Sequence, residues 1–120
     1  MTTTSYPDRL AELKAVMERL GGQIPDTMAA FGQLHKANAS DGALSAKTKE
    51  LIALGIAITV RCDGCIAFHV HDAIQAGASR AEIVEAIGVA ILMGGGPSMV
   101  YGTEALSALE HFEAESSRKP

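Results

Sequence analysis

The sequence has no Trp, only two Tyr and three Phe, and 4% aromatic residues in all. Sandwiches and barrels built from sheets normally draw more heavily on aromatic and β-branched side chains. Proline occurs four times and glycine twelve times in 120 residues, too few for a low-complexity chain, so disorder is excluded beyond the ends. Basic residues number 10 against 14 acidic ones, for a net charge of −4, and no Lys/Arg cluster is present. That balance excludes a nucleic-acid surface. The start, Met1 to Pro7, has neither a basic segment nor an apolar run, so no signal peptide is expected. The most apolar stretch, Ile83 to Tyr101, is broken by Glu85, three consecutive glycines and Pro97, which excludes a membrane span. The chain is therefore expected to be cytoplasmic. Its two cysteines stand three apart. In a cytoplasmic protein that spacing points to redox or metal chemistry rather than a structural staple.

Hydrophobic residues make up 48% of the chain, enough to fill one core, and the length fits a single domain over residues 1–120. The abundance of Ala, with Leu, Ile, Glu and Lys behind it, favours helices. Apolar residues at Leu10, Leu13, Val16, Met17 and Leu20 predict a helix from Tyr6 to Leu20, ended by Gly21-Gly22. Pro25 opens a second segment to about Ala37, with Met28, Phe31 and Leu34 on one face. Ser45 reads as the N-cap of a third helix to about Val60, apolar nearly all round and so expected to be buried on several sides. A fourth begins near Cys62 and ends at Gly77. Ser79-Arg-Ala-Glu82 is a capping box for a fifth through about Met93. After Gly94-Gly-Gly-Pro97 a last helix runs from Ser98 to Phe112. The glycines follow no strand and precede no Lys-Ser/Thr, so they form no phosphate loop. The first eight residues and the tail from Glu113 to Pro120 are polar and expected to fray. The fold class is all-α.

The informative segment is Arg61-Cys-Asp-Gly-Cys-Ile-Ala-Phe-His69. Residues three and four apart share a helix face, so Cys62, Cys65 and His69 align over two turns. At a helix start, unpaired N–H groups and the dipole stabilise a thiolate, which favours Cys62 as the nucleophile. Arg61 adds positive potential beside it. Glu50 stands among Leu51, Ile52 and Leu54 on the preceding helix. Burial there would favour its protonated form and suit it to carrying a proton. At ~1.5 Å per residue, Glu50 lies roughly 15 Å before the turn near Val60, level with His69 to Ala73 on an antiparallel fourth helix. A path Glu50–His69–Cys65–Cys62 follows.

Glu50, eleven residues, then Cys62-x-x-Cys65-x-x-x-His69 resembles the core motif of the AhpD-like superfamily. That superfamily includes alkyl hydroperoxide reductase D and the carboxymuconolactone decarboxylase family. The resemblance covers residues 44–108, with the Lys-Glu-Leu-Ile-Ala-Leu run from Lys49 and the Met-Gly-Gly-Gly-Pro run from Met93. It implies an all-helical bundle assembling as a homo-oligomer, a trimer or hexamer. It implies dithiol peroxidase chemistry in which Cys65 attacks the peroxide, Cys62 resolves the sulfenic acid, and Glu50 and His69 relay protons. The partners are then a hydroperoxide substrate and a thiol or dithiol reductant protein. No cofactor and no metal are expected. Hydroperoxidase members also carry a His just before the second cysteine, where this chain has Gly64. Carboxymuconolactone decarboxylases proper generally lack the cysteine pair. The helix-start argument favours Cys62 as nucleophile and the resemblance favours Cys65.

Other readings stay open at this point. The cysteines can be small core residues. Cys62, Cys65 and His69, with Glu50 or His71, can hold zinc, although zinc ligands usually come from two separated segments. Glu50 can pair with Lys47 or Lys49. His71 falls off the cysteine face and reads as a surface or interface residue, and His35 and His111 as structural or solvated ones. In function, the alternatives to a peroxidase are a lyase or isomerase of a lactone or similar acid, using Glu50 and His69, and a non-catalytic redox-sensing oligomer.

Overall fold

The computed structural model describes residues 5–118. These form α1 (Tyr6–Gln23), α2 (Pro25–Ala39), α3 (Ala46–Thr59), α4 (Asp63–Gln75), α5 (Arg80–Gly94) and α6 (Gly96–Arg118). No strand occurs among the described residues, and no helix there is long and apolar enough to cross a membrane.

Local chemistry sets most boundaries. Ser5, Ser45 and Ser79 each accept a backbone N–H at the start of α1, α3 and α5. At α5 the Glu82 side chain returns the bond to the Ser79 N–H at 2.8 Å, completing the capping box. Gly77 takes φ +95° just past the end of α4, and the Ala78 N–H reaches back to the Ala73 carbonyl. This left-handed closure favours a residue without a Cβ.

Three boundaries differ from the sequence expectation. Gly21 and Gly22 stay helical, and α1 runs to Gln23 before Pro25 interrupts it. Glycine lowers helix stability by only about 1 kcal/mol, whereas proline removes a donor and clashes. Tyr6 and Leu10 are buried, so the described part of the N-terminus does not fray. The Tyr6 N–H donates to His111 Nδ1 at 3.1 Å and fixes the start of α1 on α6. At the other end α6 continues to Arg118, with Glu113 held by Arg80. Residues 1–4 and 119–120 of the expected fraying ends lie outside the described residues.

The core is assembled from α3, α4, α5 and α6, around Leu54, Ile58, Ile66, Val70, Ile83 and Leu109. Each such side chain contributes about 1.5–3 kcal/mol by leaving water. Gly102 lets α6 approach α5 closely, because a Cβ there would lie 2.9 Å from Ile87 Cγ2. The expectation that α3 is covered on several sides is not met within one chain. Leu54, Ala57 and Ile58 are buried, but Ile52, Ile56 and Val60 are exposed. In α2 no residue is buried at all, and Phe31 and Leu34 stand 61% and 59% exposed.

Candidate active site

A tight turn between α3 and α4 delivers the cysteines. The Arg61 N–H bonds the Ile58 carbonyl, and the Cys62 N–H bonds the Ala57 carbonyl. These two bonds close the end of α3 as a Schellman motif. The motif places Arg61 at φ 60°, the left-handed region, where a side chain costs roughly 1–2 kcal/mol. Its consequence is that Cys62 becomes the N-cap of α4. The Cys62 Sγ accepts the Cys65 N–H at 3.2 Å.

Cys62 and Cys65 are joined by a disulfide, their Cα atoms 5.1 Å apart. Both are partly exposed, and Cys65 packs against the core cluster. Asp63, between them, anchors α1. It pairs with Arg9 and accepts the Tyr6 hydroxyl at 3.3 Å. Burial, with the Glu104 carboxylate next, raises the Tyr6 phenol above its ordinary value and keeps it a donor.

His69 follows Cys65 by one turn. Its Nδ1 lies 2.8 Å from Glu50 Oε1, with side-chain exposures of 24% and 15%. The helix-length arithmetic and the observed register therefore agree. The alternative pairing of Glu50 with a neighbouring lysine is not what forms. Lys47 reaches Glu82 at 2.9 Å and Lys49 donates to the Ser40 carbonyl at 2.8 Å. Lys47 lies within reach of Glu50 on the helix but is taken by Glu82 of α5, and Lys49, next to Glu50 in sequence, is taken by the α2–α3 loop.

A cavity of about 440 Å³ opens on this pair, lined by Phe31, Leu34, His35 and Leu44 as well as Glu50 and His69. Neither cysteine lines it. Asp72 joins from the next turn of α4. One oxygen each of Glu50 and Asp72 and a ring nitrogen of His69 lie within 4.8 Å of one another.

The zinc set read from sequence does not assemble. The cysteines are consumed in the disulfide, and His71 turns to Asp72, Nδ1 to Oδ1 at 3.0 Å, with its ring edge-on to Phe112. His111 is structural, as its bond to Tyr6 requires. Sequence reasoning missed two members of the site. Asp72 was accessible, because it follows His69 by three and so shares its face. His35 was not, because only the packing of α2 beside α3 brings it to the cavity.

The chain is similar to several proteins over nearly the whole of their length. An uncharacterized protein of Cupriavidus necator is 38% identical over 112 residues, which is 93% of this chain and 99% of that one. A crystal structure of a carboxymuconolactone decarboxylase family protein from Legionella pneumophila superposes with a TM-score of 0.85 at 39% identity, covering 89% and 96%. A Thermotoga maritima protein of that family, described as a candidate for a part in the antioxidative response, superposes with a TM-score of 0.72 at 33% identity, covering 78% and 96%. The family model matches residues 25–108, a stretch that takes in α2 as well as the motif region. With the all-helical fold and the disulfide-linked Cys-x-x-Cys beside Glu50 and His69, this match shows that the chain belongs to the carboxymuconolactone decarboxylase family, part of the AhpD-like superfamily.

Proposed function

We propose that the protein is a dithiol peroxidase that reduces hydroperoxides and is recycled by a thiol or dithiol reductant. The observation that carries this reading is the 2.8 Å contact of His69 with Glu50, one helical turn from a redox-capable cysteine pair. In the reduced protein the Cys65 thiolate attacks the terminal peroxide oxygen. The O–O bond breaks, the alkoxide takes a proton from His69, and an alcohol leaves. Cys65 becomes a sulfenic acid. The Cys62 thiolate then attacks that sulfur and expels the hydroxyl as water, closing the disulfide. Glu50 returns protons to His69 through their hydrogen bond. A reductant dithiol restores the cysteines by exchange and leaves as its own disulfide. The balance is one hydroperoxide and one dithiol giving alcohol, water and a disulfide.

Cys65 takes the attacking role because His69 lies one turn beyond it. Cys62 takes the resolving role because the helix start stabilises its thiolate when it must attack or leave. The antioxidative description of the Thermotoga maritima relative supports the reading. The deciding experiment mixes reduced protein with a hydroperoxide and counts both peroxide lost and thiols lost. One peroxide consumed per two thiols supports a peroxidase, and thiols that persist while the protein stays folded refute it.

One observation favours a second reading. The cavity opens on Glu50 and His69 but not on the cysteines. That suits acid–base chemistry on a lactone or similar organic acid. Turnover of such a substrate by the double Cys→Ser variant would favour it over the peroxidase.

A further inference from the structure

Asp72 has no part in the reading above, yet it completes a cluster with Glu50 and His69. We propose that these three residues bind a divalent cation of the zinc or manganese class, away from the redox-active cysteines and against the sequence expectation of a metal-free site. Glu50 and His69 are also the relay proposed above, so a bound ion replaces their hydrogen bond and blocks that relay.

The donor set is built from two facing helices. His69 and Asp72 stand three apart on α4, so their side chains share a face, and the α3–α4 register brings Glu50 to them. Metal sites in helical bundles use this same combination of carboxylates and an i,i+3 imidazole. One ligand atom from each residue lies within 4.8 Å of the others, close enough for a single ion to draw them together.

Charge supplies the second argument. Two carboxylates share this corner, and each has a histidine for its partner, His69 for Glu50 and His71 for Asp72. Among the described residues no Lys or Arg forms an ion pair with either; Lys47 and Lys49 are engaged elsewhere. Glu50 is only 15% exposed. Removing a carboxylate from water without a fixed positive charge is unfavourable. Asp72 lies in the last turn of α4, where the helix dipole presents its negative end and disfavours an acid. A dication offsets all three penalties together.

The chemistry of the donors narrows the ion. Imidazole with two carboxylates suits zinc, manganese or iron, whereas magnesium prefers oxygen ligands alone. His71 fills the usual outer role, holding the Asp72 carboxylate in place. Three protein ligands leave coordination positions for water or a ligand. Two of these ligands, Glu50 and His69, line the 440 Å³ cavity, so an exogenous group has access.

The test uses the oxidised full-length protein, because a closed disulfide offers no thiolate to compete. Calorimetric titration with Zn²⁺ should give one ion per chain, with Mg²⁺ at least about tenfold weaker. Asp72→Asn should weaken Zn²⁺ by on the order of tenfold or more, and the Cys62→Ser/Cys65→Ser double variant should bind as the wild type does. Zn²⁺ should also raise the melting temperature of the wild type and not that of Asp72→Asn, a readout that needs no activity. Absence of binding at about 0.1 mM free Zn²⁺, equal binding by folded Asp72→Asn, or binding lost with the cysteines would each overturn the proposal. Failure of peroxide turnover would leave all these readouts in place, so the two proposals fail separately.

Discussion

His69 Nδ1 and Glu50 Oε1 meet at 2.8 Å across the α3–α4 hairpin, both largely withdrawn from solvent. The relay proposed above requires a proton to pass across this pair, from α3 to the helix that follows Cys62. Glu50→Gln keeps the size and the hydrogen bond but cannot carry a proton. Thiol oxidation by a hydroperoxide, followed by stopped flow, should slow by about 10²-fold, as for loss of a general acid–base group. Helicity and the capacity to form the disulfide should survive. An unchanged rate in the folded variant removes Glu50 from the mechanism.

Single cysteine variants separate the sulfurs. Cys62→Ser should consume one peroxide per chain and stop, leaving a sulfenic acid on Cys65 that dimedone captures. Cys65→Ser should react at only the slow rate of an ordinary thiol. In the wild type, oxidation should lower the mass by about two daltons, the two hydrogens lost in closing the disulfide, and dithiothreitol should restore them. The reverse pattern, with Cys65→Ser the faster variant, would make the helix-capping Cys62 the nucleophile.

The elements that hold the site were legible in the sequence because they rest on local chemistry. Ser45, Ser79 and Gly77 declare their caps, and the spacing of Cys62, Cys65 and His69 needs only the 3.6-residue period. The register of Glu50 with His69 followed from helix rise alone. Apart from Asp72, what escaped was set by contacts distant in sequence. Tyr6 is pinned by His111, 105 residues away, which no pattern near the N-terminus announces. Past Phe112, α6 meets Arg80 of α5 through Glu113, a contact that spans 33 residues. His35 reaches the cavity only through the placement of α2.

The apolar faces left open in one chain predict self-association. Ile52 and Ile56 of α3 and Val89 and Met93 of α5 border a groove of about 410 Å³. Leu92 and Met93 are 79% and 76% exposed, and Met99 and Val100 continue the surface onto α6. Uncovered patches of this extent usually mark interfaces. Light scattering at micromolar concentration should give a mass at least twice that of one chain, and Val89→Glu should lower it. A monomeric wild type refutes the assembly.

Acid should weaken the start of α5 through Glu82. The Ser79 backbone N–H, and then Lys47, hold its carboxyl below the ordinary value of 4.5. A group depressed on folding contributes stability above its unfolded pKa and loses it as pH falls through the folded one. The contribution is therefore complete near neutrality and fades below pH 4.5. Thermal melts of the wild type and Glu82→Gln should differ near neutrality and converge in acid. The difference should be small, since this pair is exposed to solvent screening. A gap that widens on acidification contradicts the assignment.

Gly64 tests why this chain departs from the hydroperoxidase pattern of a histidine before the second cysteine. A Cβ at position 64 would lie 2.9 Å from Leu13 Cδ2, so α1 crosses α4 directly above it. The end of a leucine side chain can rotate away from one methyl group. Alanine also gains about 1 kcal/mol of helix propensity over glycine. Gly64→Ala should therefore leave the melting temperature nearly unchanged. An imidazole has no such room. Gly64→His should displace α1 and destabilise by about 1–3 kcal/mol, the usual range for overpacking. Leu13→Ala should cost stability in the wild type but recover much of it in Gly64→His, a coupling expected only for residues in contact. Additive effects of the two substitutions would show that α1 does not exclude the histidine, and the glycine would then need an explanation in the chemistry of the sulfurs.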